Sequence, residues 1–141
     1  MNKTPTDNLR EKIIEEMTVD YSNSLEKNFS LAKQFIRITK DGKVDLLAKD
    51  RLRGKEQILL YLIGKLYARE AGYVTTDDVG NTELMDELGI PEGSLFPWLK
   101  DLRDDNNIKQ ITRERRVYHF IPVNLVEKTL KSIEKKISKG V

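Results

Sequence analysis

Three guanidinium groups fall within four positions at Arg113-Glu114-Arg115-Arg116, between two short β-prone runs. Guanidinium is planar, permanently charged and forked. Clustered at a hairpin tip, such groups are suited to clasping phosphate oxygens or entering a narrow minor groove. The other residue types that do chemistry are sparse. There is no cysteine and a single histidine, His119, which excludes disulfides, thiolate metal sites and a histidine cluster within one copy. His119 lies in the second β-prone run and alternates to the same side as Val117, which reads as structural rather than catalytic. The pairs Asp77-Asp78 and Asp104-Asp105 lack the further carboxylates or imidazoles of a metal site and read as solvated loop and helix-end residues. No GxxxxGK phosphate loop occurs. With one candidate base and no serine or acid grouped around it, the expectation is a binding protein, not an enzyme, with no metal and no cofactor.

The formal net charge of +2 conceals a sharp division. Between positions 82 and 108 stand Glu83, Asp86, Glu87, Glu92, Asp101, Asp104 and Asp105, opposed only by Lys100 and Arg103. From position 109 to the end the balance reverses. There Lys109, Arg113, Arg115, Arg116, Lys128, Lys131, Lys135, Lys136 and Lys139 face only Glu114, Glu127 and Glu134. An acidic surface beside a phosphate backbone is unfavourable, whereas a basic one releases counterions.

These groups must be positioned by short elements. After a polar start expected to be loose (residues 1–6), Leu9, Ile13, Met17, Tyr21, Leu25 and Phe29 recur every four residues. They form one apolar stripe on either one long helix or two shorter ones, capped by Thr6 or Asp7, and the stripe wants a partner surface. Asp41-Gly42 between two β-prone runs predicts a hairpin with strands over 35–39 and 43–47. The run 55–71 is apolar around most of its circumference and predicts a central helix stopped by Gly72. Residues 73–80 read as a loop. A short helix over 82–88, capped by Asn81 or Thr82, turns inward Leu84, Met85 and Leu88. It ends at Gly89, with Ile90 plugging the core. The next helix turns inward Leu95, Leu99 and Leu102. Pro97 favours Ser94 as its effective N-cap; a start at Glu92 would place the proline inside and kink it. Trp98 is expected to pack partly into the core or against the N-terminal helix. Strands over 108–112 and 117–121 flank the arginine tip. Val126, Leu130, Ile133 and Ile137 then give a heptad-like seam on a final helix over 123–139.

The order helix, helix, tight turn Gly89-Ile90-Pro91, helix and hairpin, and above all the segment LMDELGIPEGSLFPWLKDLRDDNNI, resembles the winged helix-turn-helix transcription regulators. The resemblance covers residues 55–122. It implies a mainly α fold with small β-hairpins, a helix from Glu92 lying in the DNA major groove, and a wing at 113–116 touching phosphates or the minor groove. Mapped onto this chain, the contacts to double-stranded DNA are Arg113, Arg115, Arg116 and Lys109 on the wing, with Ser94, Phe96 and Lys100 on the helix. Residues 1–54 become a helix-plus-hairpin extension. Residues 123–141 become a dimerisation helix through Val126, Leu130, Ile133 and Ile137, pairing two copies on a two-fold site; the alternative is that this seam packs within its own chain against the 55–71 helix. The expected role is a DNA-binding homodimer that regulates transcription. The competing reading is a protein-interaction module docking a partner through Phe96 and Pro97, for which the acidic helix speaks. No run is long and apolar enough for a membrane span, and the composition predicts a soluble, cytoplasmic protein.

Overall fold

In the computed structural model, which describes residues 5–19, 21 and 23–139, the chain is mainly helical with two small antiparallel sheets. In order it forms α1 (Pro5–Glu16), α2 (Ser24–Lys27), α3 (Phe29–Ala32), β1 (Ile36–Ile38), β2 (Val44–Leu46), a 3₁₀ turn (Lys49–Arg51) and α4 (Gly54–Glu70). There follow β3 (Val79–Gly80), α5 (Asn81–Leu88), α6 (Glu92–Asp104), β4 (Lys109–Arg113), β5 (Arg116–Phe120), a second 3₁₀ turn (Val123–Leu125) and α7 (Val126–Lys139). Among the described residues, no helix is long and apolar enough to cross a membrane.

The central helix expected at 55–71 is α4. Its residues Ile58, Leu60, Tyr61, Leu62, Ile63 and Ala68 are fully buried, so the circumference is covered on nearly all sides. One core cluster joins Phe35, Ile36 and Val44 of the N-terminal region, α4, the inward leucines Leu84, Leu88, Leu95, Leu99 and Leu102, and Val126, Leu130 and Ile133 of α7. The three segments distinguished in the sequence therefore share a single interior.

The β1–β2 hairpin pairs Ile36 with Leu46 and Ile38 with Val44. Its turn needs a left-handed residue, and Gly42 supplies it at φ 85°. The hairpin lies on α4 where Gly64 leaves room; a Cβ there would overlap the Val44 side chain. A buried polar group reinforces this contact. Lys65 Nζ donates to the Gly42 carbonyl (2.7 Å) and to Glu83 Oε2 (3.1 Å), and Tyr61 Oη donates to the same carboxylate at 2.5 Å. Burial, then the Glu83 hydrogen bond, pushes the Tyr61 phenol far above its ordinary range. This cluster ties the hairpin, α4 and α5 together.

Four local expectations need correction. The 73–80 stretch is not all loop, because β3 pairs with β5 to make a three-stranded sheet ordered β3-β5-β4. The N-cap of α5 is Gly80, so neither Asn81 nor Thr82 caps it; Asn81 turns instead to His119. Helix α6 begins at Glu92 with Pro91 as its N-cap, not at Ser94. Pro97 therefore sits inside it and cannot donate to the Gly93 carbonyl. The N-terminal stripe is divided among α1, α2 and α3, with Met17 and Tyr21 in none of them. Since α1 begins at Pro5, neither Thr6 nor Asp7 is at its N-cap, and the expected looseness stops short of residues 5–6. Residues 1–4, expected loose as well, lie outside the described residues.

The largest departure concerns the C-terminal seam. Val126 and Leu130 are 0% exposed and Ile133 2%, all within the chain's own core, with Ile137 packed partly against it. The 3₁₀ turn and α7 also lie against α2, where Ser24 Oγ donates to the Val123 carbonyl at 3.4 Å. The seam expected to pair two copies is spent inside one. Most of the N-terminal stripe has the opposite fate: Leu9, Ile13, Met17, Tyr21 and Phe29 are exposed, and only Leu25 packs partly against the core.

Candidate nucleic-acid interface

Strand pairing decides which residues of the β4–β5 hairpin share a face. Lys109 stands opposite Phe120, Ile111 opposite Tyr118 and Arg113 opposite Arg116; the alternate set pairs Gln110 with His119 and Thr112 with Val117. Directly opposed residues project to the same side of a sheet. One side therefore carries Lys109, Arg113 and Arg116 among Ile111, Tyr118 and Phe120. The other turns His119 and Val79, each 1% exposed, into the core. Lys109, Arg113, Arg115 and Arg116 are all exposed. The β4–β5 hairpin thus presents a basic face interleaved with aromatic rings, and Arg115 adds a fourth cation at the tip.

The tip itself is strained. Glu114 and Arg115 both adopt left-handed backbone conformations, at φ 51° and 67°. A two-residue hairpin turn of this hand ordinarily uses Asn-Gly, because side chains with a Cβ are disfavoured there.

The four hairpin cations are not equivalent. Arg113 Nη2 donates to Asp78 Oδ1 at 2.6 Å, and its guanidinium carbon lies 4.6 Å from the centroid of the Tyr118 ring. It is anchored to the loop before β3 and its charge is partly neutralised. Asp78 was expected to be a solvated loop residue. Its side chain is instead largely covered, and neighbouring Asp77 takes an ion pair from Arg69 at 3.1 Å. Nothing in a linear reading pairs position 78 with 113; only β3 docking beside β5 brings them together. Lys109, Arg115 and Arg116 have no ion-pair partner among the described residues.

Helix α6 presents Glu92, Gly93, Phe96, Pro97 and Lys100 to solvent, with Ser94 half-buried. Its outward cation is already engaged: Lys100 Nζ sits 2.9 Å from Asp104 Oδ2. That hydrogen bond and the accompanying charge raise the Lys100 pKa and lower that of Asp104. Asp101 pairs with Lys55 at 2.9 Å. The α6 face is therefore acidic or charge-neutral, with Phe96 44% exposed at its centre. Trp98 packs partly against the core, the first of its two expected places. Its ring packs over Gly54 at the start of α4, where a Cβ would collide with it.

His119 is a core residue. Its Nε2–H donates to Asn81 Oδ1 at 2.7 Å, while buried Nδ1 has no hydrogen-bond partner. Burial, with a smaller contribution from the Arg103 charge, pulls its pKa down to about 4, so the ring is neutral near pH 7. The remaining acids do not gather: among the described residues, no three histidine, aspartate or glutamate side chains stand where they can share a metal ion. A cleft of about 530 Å³ opens between the start of α4, Trp98 and α7. The one buried acid on its wall is Glu56, whose Oε1 accepts from the Arg53 amide (2.8 Å) and whose Oε2 faces Lys136 at 3.7 Å. Comparison with family models, curated proteins and solved structures finds no match to this chain.

Proposed function

We propose that this protein binds double-stranded DNA through the β4–β5 hairpin, in the manner of a winged helix-turn-helix regulator of transcription. The observation that carries the reading is the outer face of the hairpin, where Lys109, Arg113 and Arg116 line one side and Arg115 extends the tip. Cations spaced along an exposed ribbon are suited to successive phosphates, and the rings between them give apolar contact with sugars. The order α4, β3, α5, α6, β4, β5 also supports it, since the resemblance asks for a helix pair followed by a hairpin.

The wing leads in this reading, and α6 contributes little charge. Ser94 is half-buried, Lys100 is neutralised, and Phe96 is left to touch a thymine methyl group if α6 enters the groove. The reading is one of recognition: the sole imidazole is buried and held by Asn81, so it does not face the hairpin's outer surface.

The test is binding to mixed-sequence duplex fragments across a salt series, comparing the wild type with a Lys109→Ala, Arg115→Ala, Arg116→Ala variant. Expected are a loss of affinity of about tenfold or more and a shallower salt dependence, by about 0.9 in log–log slope per phosphate contact removed. Absence of binding at low salt, or equal binding by both proteins, rejects the reading. One observation favours a second reading, a protein-docking module: the exposed Phe96-Pro97 on an acidic face. It predicts that Phe96→Ala abolishes capture of a partner protein while leaving duplex affinity unchanged.

A further inference from the structure

The cleft between the start of α4, α6 and α7 plays no part in the hairpin's contacts, since no residue of β4 or β5 lines it. Its volume of about 530 Å³ falls in the range of roughly 300–1,000 Å³ usual for small-molecule sites. Helix α7 sets the length of its wall. Lys128 and Lys136 both line it and, eight positions apart, stand on one face about 12 Å from each other along the axis. At the Lys136 end lies an acceptor without a donor. Glu56 is 6% exposed; its Oε1 takes the Arg53 amide, but its Oε2 is covered and accepts no hydrogen bond. Lys136 Nζ stands 3.7 Å from that oxygen, beyond hydrogen-bond reach, on a side chain 63% exposed that is free to swing aside. A buried acceptor in this condition calls for a donor. At the other end lies a cation without a carboxylate: Lys128 is exposed and has no ion-pair partner among the described residues. Trp98, Leu102 and Ile133 supply the apolar part of the wall. Of the remaining charges, Arg53 and Asp105 are one of each sign, and Lys55 is tied to Asp101.

We infer that this cleft binds a nucleoside monophosphate whose base carries an amino group. The amino group donates to Glu56 Oε2, the base lies against the Trp98 indole, and the phosphate meets Lys128. The separation of the two polar ends selects the class. An amino acid has its ammonium and carboxylate on one carbon and cannot reach both ends of the α7 wall. A nucleoside monophosphate has its amino group and phosphate at opposite ends, with a flat ring and a ribose between them. The flat ring suits an indole wall, and the hydrogen bond to a buried carboxylate is of the stronger, charge-assisted kind. The inference does not rest on DNA binding and is measured without duplex.

Trp98 is the chain's single tryptophan, so its fluorescence reports on the cleft. The full chain is titrated with AMP, GMP and CMP, with excitation at the red edge of indole absorption where the bases are transparent. A saturable change is expected with at least one of them, and calorimetry should give one site per chain. Lys128→Ala and Glu56→Gln are each expected to raise the Kd of that nucleotide by about tenfold. Two truncated ligands separate the ends, shown here for AMP. Adenosine, which lacks the phosphate, should bind Lys128→Ala as well as it binds the wild type. Purine riboside monophosphate, which lacks the amino group, should be indifferent to Glu56→Gln. Circular dichroism checks the fold of both variants. If Glu56→Gln unfolds, the loss of affinity from AMP to purine riboside monophosphate on the wild type reads the same contact. No saturable change with any of the three nucleotides at millimolar concentration overturns the inference. So does a nucleotide that binds both variants as tightly as the wild type, and so does one that loses nothing when its phosphate or its amino group is removed.

Discussion

At the scale of single residues, His119 links protonation to folding. Its folded pKa of about 4 lies below the ordinary 6.5, so between those values the unfolded chain binds the proton and the folded one does not. The stabilisation is complete above pH 6.5, is lost as pH falls through that window, and changes no further below it; the depression corresponds to at most roughly 3 kcal/mol. Urea unfolding is expected to show stability falling between pH 6.5 and 4, and a His119→Gln variant should lack most of that slope. An unchanged slope in the variant would remove His119 as the cause. Arg113 shows that residue type alone misjudges a role. It belongs to the arginine cluster, yet its ion pair with Asp78 and its stacking on Tyr118 make it a support. Arg113→Ala is expected to cost roughly 1–2 kcal/mol of stability, because it leaves a mostly covered carboxylate with only the Thr76 hydroxyl, at 3.4 Å. It should lower duplex affinity less than Arg116→Ala. The converse ranking in a binding series would make Arg113 a direct contact.

At the scale of elements, the tip of the β4–β5 hairpin holds Glu114 and Arg115 in left-handed conformations that suit neither. Natural chains keep such strain where a side chain is needed more than an easy turn, and here the turn projects Arg115. Glu114→Asn, which tolerates this backbone and retains the cations, is expected to stabilise the protein by roughly 0.5–1 kcal/mol. It should also strengthen duplex binding by removing an acid from the tip. A thermal midpoint at or below that of the wild type would argue against strain at this position. Helix α6 makes a similar concession, keeping Pro97 beyond its first turn at the loss of one backbone hydrogen bond. The structure pairs Pro97 with exposed Phe96 on the one face of α6 not consumed by the core.

At the scale of the whole molecule, the N-terminal region is held on α4 by a close backbone approach and one buried charge. Lys65, 5% exposed, joins the Gly42 carbonyl to Glu83. Lys65→Met keeps the apolar stem but leaves Glu83 with Tyr61 and the more distant Lys43, at 3.6 Å. The expected loss is roughly 2–3 kcal/mol, below the usual figure for breaking a buried pair because Glu83 retains those partners. Chemical denaturation measures it, and a change within about 0.5 kcal/mol would mean the network holds little. Because the hairpin, α4, α5 and α7 share one interior, the transition should remain single and cooperative in this variant.

Much of this architecture could be read from the linear order. The inward leucines of α5 and α6, the hairpin turn at Gly42 and the basic tip all follow from periodicity and turn chemistry. These signals are local, set by residues within a few positions of one another. What the chain order left open was decided by packing between distant segments. The two-residue β3 is too short to carry a pattern and exists only because β5 lies beside it. Asp78 acquires Arg113, and Asn81 acquires His119, across the same contact. The two apolar stripes at the ends of the chain look alike in spacing. Only the tertiary structure shows that the C-terminal one closes the core while the N-terminal one stays exposed except at Leu25, since periodicity tells that a face is apolar but not which surface covers it.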